Sequence, residues 1–147
     1  MPQSLSLVLI HVVFSTKDRA PFLTPTITTE LYPYLASVAR ETNCECYRIG
    51  GVADHVHLAI RLSRTTTIAD LVEQLKACSS KWLKPKSHNF AWQRGYAAFS
   101  TNPSDAGILL HYIDTQEQHH QKYDFQDELR ALLQKYGIGH DERYMWD

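Results

Sequence analysis

Apolar positions along the chain recur with two different periods, and the alternation between them divides it into strands and helices. "SLSLVLIHVVFST" (4–16) is dense in aliphatic and β-branched residues and predicts a buried strand. "KDRAPFLTP" is a proline-marked turn. "TITTELYPYLASVARETN" (26–43) has helical spacing through Leu31, Leu35, Val38 and Ala39, which requires Pro33 to lie in its first turn. "CECYRIGGVA" and "DHVHLAIRLS" read as two strands of a hairpin that turns through Gly50 and Gly51. In "TTTIADLVEQLKACSSKWLKP", Ile68, Leu71, Val72, Leu75, Cys78 and Trp82 form one stripe of a helix that starts at threonine caps and ends before Pro85. "FAWQRGYAAFS" alternates and predicts a fourth strand. "NPSDAGILLHYIDTQEQHHQKY" (102–123) opens on a helix-start signal, and "FQDELRALLQKYG" predicts a further helix ending at Gly137. The tail "IGHDERYMWD" is expected to dock on the rest.

The order β-α-β-β-α-β predicts an α+β, ferredoxin-like antiparallel sheet with helices on one face and C-terminal helices appended. A single domain over residues 1–147 is expected, with its core at about 4–104 and the extension at 105–147. Many unrelated functions share that fold, so the chemistry has to come from a site.

Composition narrows the classes. At 44% hydrophobic and 21% charged, the chain is an ordinary globular sequence. Its longest apolar run, "LSLVLIHVVF", is too short to span a bilayer and has no basic residue before it, so a cytoplasmic protein without membrane or secretory segments is expected. Cys44, Cys46 and Cys78 lack zinc-like spacing and read as small buried hydrophobes. The net charge of −1 conceals a division: between Gln74 and Ser104 there is no acid, whereas Lys76, Lys81, Lys84, Lys86 and Arg94 all fall there. These five cations suit phosphate tracking by a nucleic-acid strand, with Trp92 and Tyr96 interleaved as stacking platforms, while Trp82 belongs to the apolar stripe.

The chemical signal lies in "GGVADHVHLAI" (50–60). His55 and His57 are i and i+2 on a strand and project from the same face. Adjacent neutral imidazoles suit a metal, and a packed core pair remains the alternative. In "LLHYIDTQEQHH", Tyr112 and Gln116 stand four apart on a helix, with His119 and His120 a turn later. A tyrosine can act as a nucleophile, and a glutamine offers a neutral oxygen to a hard cation. Asp54 is placed to orient an imidazole from behind, and His119 or His120 to support a metal or phosphate.

Taken in order, "HVVFSTKDRAPFL", "GGVADHVHLAIRL", the basic helix, "FAWQRGYAAFS" and "YIDTQ" resemble the single-tyrosine HUH transposases of the insertion sequence 200/605 group. The resemblance implies His55, His57 and Gln116 as ligands of Mg²⁺ or Mn²⁺, with Tyr112 attacking single-stranded DNA to give a 5′-phosphotyrosine. It further implies hairpin-bearing DNA as substrate, a homodimer, and no nucleotide cofactor. A related branch acting at repeated palindromes carries Asn-Pro shortly after the tyrosine. "YIDTQ" resembles the mobile-element type instead. Three rivals stay open on these residues: a hairpin-binding relic or regulator that does not cut, a hydrolase of small phosphoesters, and a structural dimer.

Overall fold

The computed structural model describes residues 2–147. Four strands, β1 (Leu9–Ser15), β2 (Glu45–Val52), β3 (His55–Arg61) and β4 (Ala97–Thr101), form one antiparallel sheet in the order β2-β3-β1-β4. Two long helices, α1 (Pro25–Glu41) and α2 (Ile68–Leu83), follow β1 and β3. After β4 come α3 (Ala106–Asp114), the single turn α4 (Gln116–His119) and α5 (Phe125–Lys135). The α+β, ferredoxin-like order read from the sequence is the order observed. Among the described residues, no helix is long and apolar enough to cross a membrane.

The sheet is covered on both sides, because the two periodicities give it two apolar faces. Ile10, Val12, Phe14, Val56, Leu58 and Ile60 point to one side and pack with Leu31, Leu35, Leu71 and Leu75 of α1 and α2. The alternate residues of β1 and β3 face the C-terminal helices. Ala59 packs on Leu109 and Ile113 of α3, and Val13 and Phe99 pack on Phe125, Leu129 and Leu133 of α5. All seven residues of β1 are therefore buried. The histidines of β3 sit in this second layer, which the extension creates.

Several predicted boundaries move, each for a physical reason. β1 begins at Leu9 rather than Ser4, because its last partners on both sides, Arg61 and Thr101, end there. Pro33 lies in mid-helix rather than in the first turn, which is occupied by Pro25; the residue is exposed, on the solvent side of α1, where the helical hydrogen bond it omits is least costly. The hairpin turns at Ala53–Asp54, since Val52 already pairs with His55, while Gly50 and Gly51 belong to β2. The fourth strand is only Ala97–Thr101. Phe90 and Trp92, expected within it, instead plug the core, with the Trp92 indole N–H donating to Ser79 Oγ at 2.9 Å. The helix predicted over 102–123 breaks at Thr115, whose hydroxyl donates back to the His111 carbonyl at 2.9 Å.

Gly50 sets the distance between α3 and the sheet. A Cβ there would run into the Ile113 carbonyl oxygen and come within 2.8 Å of Ile113 Cγ2. Gly50→Val is expected to cost about 1–3 kcal/mol in chemical denaturation. It is also expected to lower any activity carried by Tyr112, since α3 must lift to admit the side chain.

Candidate active site

Strand register brings the first groups together. His55 and His57 are opposite Ser15 and Val13 of β1, and His11 is therefore the diagonal neighbour of His57 on the same face. Both β3 histidines are fully buried. Behind His55, the Asp54 carboxylate accepts from Nδ1 at 2.7 Å. Behind His57, Nδ1 lies 2.7 Å from His11 Nε2.

The Nε2 atoms point toward the C-terminal helices and meet Glu128 of α5. Its Oε1 is 3.2 Å from His55, 3.0 Å from His57 and 3.1 Å from His120. Gln116 Oε1 lies 3.3 Å from His55 Nε2 and 3.0 Å from His120 Nε2. The break at Thr115 allows this, because it turns Gln116 inward and lets His120 follow, its Nδ1 donating to the Tyr123 carbonyl at 2.8 Å. The second oxygen of Glu128 accepts from the Tyr112 hydroxyl. One carboxylate thus ties three imidazoles to the phenol. Tyr112 lines a 310 Å³ cleft with His119, His120, Tyr123 and Glu128.

Asp54, His55, His57, Tyr112, Gln116 and His120 are thereby gathered at one place. His119 stands apart from the cluster, with its ring 4.9 Å from that of Tyr112 and its Nε2 3.2 Å from Thr115 Oγ1. The basic segment lies elsewhere, since α2 packs on the opposite face of the sheet. Lys76 is half-buried, its ammonium donating to the carbonyls of Gln93 (2.8 Å), Arg94 (3.2 Å) and Gly95 (2.6 Å), and burial lowers its pKa to about 8. That lysine clamps a loop. Lys81, Lys84, Lys86 and Arg94 are exposed, with the Lys86 ammonium 4.3 Å above the Trp82 ring.

Two members of the site are not apparent in the sequence reading, Glu128 and His11. A signal existed for the first. Phe125, Leu129 and Leu133 form the apolar stripe of α5, and Glu128 lies on that stripe, where an unpaired carboxylate would be costly.

Burial and charge separate the ionisation of these groups. Burial holds His57 neutral, its pKa lowered to about 4, and does the same to His11, lowered to about 3. Burial opposes charge on His55 too, yet hydrogen bonds to Asp54 and Glu128 outweigh it and raise that pKa to about 8. Burial alone would favour a protonated Glu128, but hydrogen bonds from His120, His55 and His57 hold the carboxyl well below the usual range. Burial and the adjacent Glu128 charge push the Tyr112 phenol up.

The sign of each shift fixes how stability varies with pH in the metal-free protein. His55, raised from an unfolded value of about 6.5, contributes fully below that value and loses up to about 2 kcal/mol as pH rises through about 8. His11 and His57 have depressed values, so their contributions hold above about pH 6.5 and fade as pH falls toward about 3 for His11 and about 4 for His57. Thermal unfolding followed across pH is expected to show a maximum near neutrality with losses on both sides.

The donor set fits a divalent cation. One ligand atom each from His55, His57, His120 and Glu128 lie within 4.8 Å of one another, and Gln116 adds an amide oxygen. Three imidazoles beside two oxygens make the set richer in nitrogen than Mg²⁺, which favours oxygen ligands and retained water, ordinarily takes.

Comparison with known proteins places the chain. A family model described as "Transposase IS200 like" matches residues 4–116. The chain belongs to the IS200-like transposase family. The match stops at Gln116, so His120, Glu128 and all of α5 lie outside the matched segment. Among solved structures, a protein assigned as a transposase in Deinococcus radiodurans R1 superposes with a TM-score of 0.64 at 19% identity, over 79% of this chain and 95% of that one. A REP-associated tyrosine transposase bound to a REP hairpin superposes with a TM-score of 0.60 at 14% identity, over 82% of this chain and 74% of that one. These two likenesses speak for the fold. No curated protein matches the sequence.

Proposed function

We propose that this IS200-like transposase cleaves and rejoins single-stranded DNA at hairpin-bearing ends through a 5′-phosphotyrosine on Tyr112. The observation that carries the proposal is the shared carboxylate: Glu128 accepts from the Tyr112 phenol with one oxygen and faces His55, His57 and His120 with the other. A candidate nucleophile and a candidate metal-binding set thereby stand side by side. The hairpin substrate is supported by the family and by the hairpin-bound relative.

His55, His57, His120, Glu128 and Gln116 would hold the divalent ion. Bound there, such an ion supplies Lewis acidity to a scissile phosphate and offsets developing negative charge. The chain's own residues do the rest. Asp54 holds the His55 ring by its Nδ1, and Glu128 holds the phenol oxygen beside the cluster. The Tyr112 oxygen attacks phosphorus as the bond to the 3′ oxygen breaks, and the phenol proton is balanced by the proton gained on the new 3′-OH. One phosphodiester replaces another, so no nucleotide cofactor is needed. Lys81, Lys84, Lys86 and Arg94 would meet more distant phosphates. A homodimer, which the family supports, would bring two copies of this set together.

The test is a denaturing gel of protein incubated with hairpin-bearing single strands from the gene's own flanks, with and without Mn²⁺. A metal-dependent covalent protein–DNA band is the expected result. Tight hairpin binding without any such band would leave a binding relic. Metal-dependent cleavage releasing both ends free would point to a hydrolase.

A further inference from the structure

His11 is buried at 3% exposure within an otherwise aliphatic part of β1. Its Nε2 lies 2.7 Å from His57 Nδ1, and the two rings stack at 5.0 Å with 25° between their planes. Both nitrogens of His57 are therefore engaged, Nδ1 by His11 and Nε2 by Glu128 at 3.0 Å.

Two neutral imidazoles can share only one proton across such a bond, so the tautomers are linked. While Nε2 of His57 faces the Glu128 carboxylate, it carries the proton. Nδ1 then accepts from His11 Nε2–H. If Nε2 gives its lone pair to a cation, the proton has to sit on Nδ1, and His11 must accept through an unprotonated Nε2. Asp54 behind His55 can only accept, whereas an imidazole can serve in either direction without adding charge to a buried site.

We infer that His11 is the positioning residue for His57, a partner whose tautomer inverts together with that of His57 when a divalent cation takes the Nε2 lone pair. The inference rests on the metal-dependent reading of the site. Its clearest signature needs no turnover.

Side-chain ¹⁵N NMR of the wild-type full chain, with and without Zn²⁺ as a diamagnetic probe, reads the tautomers directly. In the metal-free protein, protons are expected on Nε2 of both His57 and His11. With Zn²⁺, both are expected on Nδ1. Unchanged tautomers in a protein that binds Zn²⁺ would overturn the inference and leave the metal site standing. Absence of Zn²⁺ and Mn²⁺ binding would sink the metal reading and the inversion with it.

Mn²⁺ affinity provides the second measure. His11→Phe is expected to weaken it about 10–100-fold. His11→Gln, whose amide reaches the same place and can both donate and accept, is expected to recover most of the loss. Wild-type affinity in a folded His11→Phe variant, or equal losses in both variants, would contradict the assignment.

Discussion

Tyr112→Phe is expected to fold, bind Mn²⁺ and hairpin DNA, and form no covalent link to DNA. The substitution removes one oxygen from a ring packed against His11, His57 and His119, and leaves their contacts with the ring in place. Strand cleavage should fall at least about 10⁴-fold in single-turnover assays, because the removed atom is the proposed nucleophile. Stability should fall by about 1.5–3 kcal/mol, the usual worth of a hydrogen bond to a charged acceptor. His55, His57 and His120 remain on the other Glu128 oxygen, so the metal-binding set is retained. A variant that still cleaves at the wild-type rate would assign the chemistry to another group.

Glu128→Ala is expected to have the second-largest effect, and to act on several properties at once. Losing the carboxylate removes a candidate ligand oxygen, the acceptor of the Tyr112 phenol, and the partner of three imidazoles. Mn²⁺ affinity, read by calorimetry, should fall at least about tenfold. Denaturation should show a loss of about 3–5 kcal/mol, because buried polar and charged groups lose their shared partner. The His55 pKa should fall from about 8, since Asp54 alone remains to raise it. Glu128→Gln separates the contributions: its amide oxygen still accepts from Tyr112, but the charge that holds the phenol pKa up is gone. Spectrophotometric titration should then find the Tyr112 pKa lower than in wild type, although still raised by burial.

What could be read from the sequence divides along local and non-local lines. The alternation in "HVHLAI" placed His55 and His57 on one face because strand geometry is a local rule. The helical spacing of Tyr112 and Gln116 pointed to the same place, but α3 ends at Asp114 and Gln116 reaches the site through the break at Thr115. The Thr67 cap and the apolar stripe of α2 were equally local. Gly50 misled, because glycine in a hairpin normally means a turn, and here it means a helix lying close overhead. Pro33 misled because tertiary packing through Leu31 and Leu35 carries α1 across it. His11 and Glu128 depend on longer relations. His11 joins the site through the β1–β3 register, 46 residues from its partner. Glu128 joins it through the docking of α5, 71 residues from His57 and beyond the segment the family model matches. No spacing rule connects them, although an acid on the apolar stripe of α5 was visible as an inconsistency.

The most direct test of the account is to locate the bond it requires. Wild-type protein trapped with hairpin-bearing single-stranded DNA and Mn²⁺ would be digested, and the DNA-linked peptide sequenced by mass spectrometry. The account predicts a 5′-phosphate joined to the Tyr112 oxygen. A linkage on a different residue such as Tyr123, or cleaved DNA with a free 5′-phosphate and no linked peptide, would contradict it.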